Sequence, residues 1–242
     1  MLTNTDIIEE KNRKRSLLID LGIIFIFLPL TFPLFMLFGK YINNNSTFLS
    51  IIFLSIIQFC GAGLGAFVVI FIRKESLREY GINKDGLKRS LGISLLFIAV
   101  MVLVKTIDAG DILYFPMRNH TAMKYSLSLL FPLNFVGIII TLITWGIIEG
   151  FYYVVISKKI DDLFTQNKKT WLTLAPIIFF IYNYIIHYCI RVLVERRTYE
   201  FSLIDILLGI LLAYSMLIPR KVTGNSWGSL IYQTLQNGLG KI

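Results

Sequence analysis

Long apolar runs with few charges dominate this chain. A run of about 20 such residues is the length a helix needs to cross the hydrocarbon of a bilayer. Runs of this kind occupy Ser16–Phe38, Phe48–Ile72, Leu91–Val104, Ser128–Ile156, Trp171–Val194 and Phe201–Ile218. The third is short unless it extends back through Leu87. A further run, Ser226–Leu239, is shorter and more polar, and reads as a half-span or a helix shielded by its neighbours. The 242 residues are 55% hydrophobic and only 16% charged, more apolar and less charged than a soluble domain of this size. The expectation is an all-α integral membrane protein, a polytopic bundle of about seven or eight transmembrane helices. Residues 1–15 form a polar N-terminal segment, 16–130 the first membrane helices and loops, and 131–242 a second half that holds nearly all the intramembrane polarity. The first run is too long for the apolar core of a signal peptide and no small-x-small cleavage site follows it, so it reads as a retained helix.

The net charge is +9, and its placement is uneven. Lys11, Arg13, Lys14 and Arg15 precede the first run, and six basic residues fill Arg73–Arg89. Lys158, Lys159, Lys168, Lys169, Arg220 and Lys221 cluster after the fourth and sixth runs. The positive-inside rule puts all of these on one side, giving a multi-pass protein of the cell membrane with a cytoplasmic N-terminus. The same placement leaves no soluble basic face with stacking aromatics, so no nucleic-acid partner is expected and the lipid bilayer is the first partner.

Against this apolar background, a few polar groups stand out. Glu149 lies near the middle of the fourth run, His187 in the fifth and Asn237 in the last. An ionisable group in hydrocarbon costs on the order of 3 kcal/mol and faces a protein interior or a water-filled cavity. Glu149/Tyr153, Asn183/His187 and Gln233/Asn237 are i,i+4 pairs, each on one helix face. They read as one polar site among helices. Glu149 reads either as a general base or as a protonated carboxyl bonded to a Tyr hydroxyl; Tyr152 and Tyr153, a turn away, are its expected partners. His187 reads as a proton carrier or water-orienting group. The Gln233 and Asn237 amides suit either oxyanion stabilisation or helix gluing. Gly150 admits a close neighbour, and Gly61 with Gly65 forms a small-xxx-small face for helix packing. Asp205 reads as a helix-start carboxylate, Cys60 and Cys189 as packing residues, and His120 as a solvated residue of the polar loop Lys105–Tyr125, an extracytoplasmic loop or surface-lying helix. One His and one Glu fall short of the three ligands a zinc centre wants, so no metal or other cofactor is expected.

These residues resemble the motifs of the CPBP family, the CAAX-protease and bacteriocin-processing (Abi) membrane proteins. The similarity covers roughly residues 75–240 and is best from Trp145 onward, and "LREYGINKDGLKRSLG" looks like the family's segment ahead of the catalytic half. The family's first motif is Glu-Glu followed by an arginine four residues after the second Glu. If Glu149 takes the second Glu position, Ile148 replaces the first and Tyr153 the arginine; if it takes the first, Gly150 and Val154 are the replacements. In the second motif, Phe-x-x-x-His, His187 matches and Asn183 replaces the Phe. In the third, His-x-x-x-Asn after an aromatic, Trp227 and Asn237 match and Gln233 replaces the His. The resemblance implies an intramembrane endopeptidase in which Glu149 and His187 activate water and Gln233 and Asn237 stabilise the oxyanion, with Tyr153 and Asn183 in support. Its substrate would be a membrane-associated or lipidated peptide. The competing reading is a non-catalytic relative, a membrane binding or immunity-type protein that keeps the cavity. A transporter is a third reading, set back by the lone central carboxylate and the lack of an inverted repeat.

Overall fold

Backbone groups in hydrocarbon must be satisfied within the segment, which forces apolar runs into helices. The computed structural model describes residues 4–43, 47–109, 120–164, 173–189, 192 and 203–237, and among them every regular element is helical. The helices are α1 (Asn4–Ile26), α2 (Thr31–Asn43), α3 (Phe48–Phe59), α4 (Gly65–Arg73), α5 (Leu87–Ala109), α6 (Thr121–Ser128), α7 (Leu133–Leu142), α8 (Glu149–Leu163), α9 (Ala175–Cys189), α10 (Leu203–Thr223) and α11 (Trp227–Gln236). Two π-helical segments, Cys60–Leu64 and Ile143–Ile148, join α3 to α4 and α7 to α8. Three helical stretches are long and apolar enough to cross a membrane among the described residues: Asp6–Gly39, Phe48–Arg73 and Leu133–Leu163. That is fewer than the seven or eight expected from composition. Their burial ranks them: the first is 17% buried and peripheral, the last is 61% buried and central.

Local chemistry sets the breaks. Pro29 has no N–H to donate, and the first apolar run turns between α1 and α2, where Thr31 Oγ1 donates to the Leu28 carbonyl at 2.6 Å. Gly61 and Gly65 face that turn and α1; a Cβ on Gly65 would lie 2.9 Å from the Ile24 backbone, so the small-xxx-small face is what lets the two spans meet. α5 does begin at Leu87. α11 is short and is covered by α5, α8, α10 and the second π segment.

The polar loop before the fourth span differs from expectation. Residues 110–119 lie outside the described residues; 105–109 continue α5, and α6 is a helix with one face buried and the other, at Thr121, Lys124 and Leu127, exposed. Ala122, Met123 and Ser126 are fully buried, and α6 packs between α3 and α7. Ser126 Oγ donates to Ala122 O at 2.7 Å and lies 3.3 Å from Thr141 Oγ1, while Gly137 leaves room for it. With His120 beside Trp145 and Ser126 beside Gly137 and Thr141, α6 and α7 form an antiparallel hairpin.

Two polar clusters bind the other end of the bundle. Lys159, 1% exposed, donates to Asp20 at 2.9 Å and to Glu75 at 2.6 Å; Arg73 Nε donates to the other Asp20 oxygen at 2.7 Å, and the Tyr80 hydroxyl donates to Glu75. Lys159 is therefore not a surface charge. It joins α8 to α1 and to the segment after α4. Beside it, the Arg73–Arg89 loop docks on the turn before α11: Asn225 Nδ2 donates to the carbonyls of Asn83 at 2.7 Å and Asp85 at 3.0 Å, and Ser226 N donates to Gly81 O at 2.9 Å. Gly81, at φ +80°, is the residue that permits this close approach.

Replacing Lys159 with Met leaves buried Asp20 with Arg73 alone and half-buried Glu75 with the Tyr80 hydroxyl alone. The expected loss is about 3–5 kcal/mol, read as a lower denaturant midpoint in mixed micelles; an unchanged midpoint would show that the cluster does not hold the helices together. Tyr80 supplies a pH handle. Burial first, and then its bond to Glu75, hold the phenol proton above the usual phenol range. The folded state thus keeps a proton that the unfolded chain releases near pH 10, so stability is full below about pH 10 and falls as pH rises above it. Tyr80→Phe should flatten that alkaline fall in a pH series of unfolding midpoints.

Candidate functional site

The site is built on the turn where the second π segment meets α8. Glu149 is the first residue of α8 and is 8% exposed. Its carboxylate accepts from three elements: Gln58 Nε2 of α3 at 2.9 Å and Asn237 Nδ2, just past α11, at 3.3 Å, both to Oε2, and the Tyr153 hydroxyl, one turn along α8, to Oε1. Among the described residues these three donors offset part of the cost of burying the carboxylate.

The π segment explains why Asn237 is there. The Glu149 N–H donates to the carbonyls of Thr144 and Gly146 and skips Trp145, its usual α-helical acceptor. The Trp145 carbonyl is taken instead by Asn237 Nδ2 at 2.8 Å. Both hydrogens of that amide are thus engaged, one on Trp145 and one on Glu149. Close approach makes the geometry possible: a Cβ on Gly146 would collide with Thr234, and one on Gly150 would lie 3.1 Å from the Gln233 Cβ. The first π segment works the same way from the other side, since a Cβ on Gly63 would lie 2.8 Å from Ile148. Interruptions of this type cluster at functional sites, and here one directly precedes Glu149 while the other begins two residues after Gln58.

Glu149, Tyr153 and Asn237 therefore meet at one carboxylate. Gln233 is buried a turn before Asn237, against Gly150, and its backbone carbonyl accepts the Asn237 N–H at 2.9 Å. Tyr152 turns the other way and shares a hydrogen bond with Tyr182 of α9 at 2.9 Å, while Tyr153 packs on Phe179 with ring centroids 4.2 Å apart. Those pairs set α8 against α9. The side chains of His187 and Asn183 lie outside the described residues, as do those of Asp205 and Cys189; Cys60 is half-buried.

Two residues escaped the sequence reading. Gln58 is a lone amide in the second apolar run, and that isolation was its only signal. His120 is not a solvated loop residue. It caps α6, accepting the Ala122 N–H on Nδ1 at 3.3 Å, and is half-buried with its ring centroid 4.5 Å from that of Trp145. Among the described residues no group of three or more His, Cys, Asp or Glu side chains is placed to hold a metal ion.

No family model, curated protein or solved structure matches the chain.

Gln58 and Asn237 share Oε2 of Glu149, so their effects should couple. Gln58→Leu and Asn237→Leu are each expected to cost about 1–3 kcal/mol, and the double variant should depart from their sum by more than about 0.5 kcal/mol. Unfolding midpoints of the four proteins in one detergent measure this; strict additivity would mean that the two amides do not serve one carboxylate.

Proposed function

We propose that this chain is an intramembrane endopeptidase of the CPBP type, a polytopic cell-membrane protein with its N-terminus in the cytoplasm. The observation that carries the reading is Glu149, a buried carboxylate held by donors from α3, α8 and the C-cap of α11 between two π segments. A carboxylate fixed this way is costly to keep in an apolar helix and is positioned as a general base. A water beside it gives a proton to Glu149 as its oxygen attacks the scissile carbonyl carbon. His187 on α9 is the second group on that water. Asn237 positions Glu149, and its longer bond of 3.3 Å is the one a substrate oxygen displaces. The proton on Glu149 then passes to the leaving amine as the C–N bond breaks. The substrate class is a membrane-associated peptide, lipidated or hydrophobic near its C-terminus.

A specific observation favours the non-catalytic relative as the second reading. Ile148 packs at Gly63 and Gly150 is covered by α11, so neither neighbour of Glu149 supplies the second acid of the family's first motif. Loss of chemistry with retention of the cavity would leave a peptide- or lipid-binding membrane protein.

Cleavage of a lipidated C-terminal peptide in vesicles separates the two. Glu149→Gln keeps the shape and should lower cleavage by about 10²-fold or more, with His187→Ala comparable and the double variant little worse, because the two act as a unit. Wild-type protein that is folded and binds the peptide without cleaving it would select the binding reading.

A further inference from the structure

The span Phe48–Arg73 ends in a turn that asks nothing of a side chain. Glu75 N donates to Ile70 O at 3.0 Å and Lys74 N to Phe71 O at 3.2 Å, the two bonds of a Schellman motif, and Lys74 is left-handed at φ +55°. Among the described residues no other non-glycine residue has a positive φ. Glycine is the usual occupant of this position, because a Cβ is disfavoured in that conformation. The turn serves the fold by sending Glu75 back to Lys159, and a glycine would allow the same path with less strain. Lys74 is exposed and makes no ion pair among the described residues. The sequence thus keeps a charge outward at a place where the backbone favours no side chain at all.

The charges around it are one-sided. Glu75, Glu79 and Asp85 are the acids of the Arg73–Arg89 loop, and each is engaged within the protein. Glu75 is held by Lys159 and the Tyr80 hydroxyl, Glu79 by the Ser76 N–H at 2.9 Å, and Asp85 by Arg78 at 3.1 Å. Asp20 takes Arg73. Lys74, Lys84, Lys88 and Arg89 are left, all exposed and none in an ion pair among the described residues. The Arg78–Asp85 pair and the bonds from Asn225 to Asn83 O and Asp85 O fix the turn that carries Lys84. Just before Lys74 the exposed side chains are apolar: Phe71 is 84% exposed and Ile72 57%. Both lie at the end of a stretch long and apolar enough to cross a membrane. Exposed apolar residues give way to unpaired bases at one point of the chain, the change expected at the level of lipid phosphates.

We propose that Lys74, together with Lys84, Lys88 and Arg89, forms a docking surface for the phosphates of anionic lipid headgroups in the bilayer around the Phe48–Arg73 span. The exposed Phe71 and Ile72 beside it suit a lipid, whose chains lie in hydrocarbon, over a water-soluble phosphate. The contact is electrostatic and transfers no atom, and it stands apart from the hydrolytic reading.

Native mass spectrometry of the full chain, released from micelles with equal phosphatidylglycerol and phosphatidylcholine, tests it. The wild type should retain phosphatidylglycerol preferentially. Lys74→Gly should lower that preference about fivefold, as about 1 kcal/mol per basic residue implies, with an unfolding midpoint no lower than that of the wild type. Lys74→Gln, which removes the charge and keeps the strained side chain, should lose as much. Lys84→Gln with Lys88→Gln should lower the preference further, and Lys124→Gln, at an exposed base on α6, should leave it unchanged. Equal retention of the two lipids by the wild type, or an undiminished preference in Lys74→Gly and Lys74→Gln, would overturn the proposal. So would an equal loss in Lys124→Gln, which would reduce the effect to net charge. A lower midpoint in Lys74→Gly would overturn the claim that the fold does not need the lysine. Displacement of the phosphatidylglycerol by an equal concentration of glycerol 3-phosphate would overturn the lipid assignment in favour of a soluble phosphate.

Discussion

A carboxylate on an apolar helix dictates much of this architecture. Leaving Glu149 without partners in low dielectric would cost far more than a typical domain's margin of stability, so donors have to be brought to it. Tyr153 comes from the next turn of α8, and the other two from parts of the chain distant in sequence, Gln58 on α3 and Asn237 beyond α11. Bringing those backbones together requires small residues at the crossings, and Gly63, Gly146 and Gly150 are where a Cβ would meet the neighbouring helix. The π segment then releases the Trp145 carbonyl, and the same Asn237 amide satisfies it. Glycines, π turn and amide form one solution to one desolvation problem.

The other end of α8 repeats the logic with full charges. Lys159 is fully enclosed and is shared between Asp20 and Glu75, with Arg73 closing the set. Buried ion clusters are weak sources of net stability but strongly disfavour alternatives in which one partner is lost. Here the cluster fixes α8 against α1 and α4 while Asn225 fixes α11 against the loop ahead of α5. The two helices whose ends hold Glu149 and Asn237 are therefore tied down at the end remote from the site.

Periodicity and hydrophobicity made the helices legible, down to the start of α5 and the shielding of α11. The i,i+4 rule made the Glu149–Tyr153 contact legible because both residues lie on one helix. What stayed hidden required knowledge of which helices cross. Gln58 had no local partner to mark it. His120 looked like a loop residue because the segment around it is polar; the packing of Ala122, Met123 and Ser126 on α7, which turns that segment inward, is a tertiary fact. The π segments were also invisible, since "CGAGL" and "ITWGII" fit an α-helix equally well and only the close approach of a second helix selects the wider turn. Lys159 entered only the topology count, because a charge count cannot distinguish a lysine in solvent from one held between two carboxylates.

The central claim is that Glu149 activates water and does not itself attack the peptide. A single turnover in water enriched in 18O, with excess enzyme over a lipidated peptide, tests it most directly by mass spectrometry of both product and protein. The account predicts one heavy oxygen in the new peptide carboxylate and none in Glu149. Heavy oxygen in the Glu149 side chain, or recovery of the intact peptide, would contradict it.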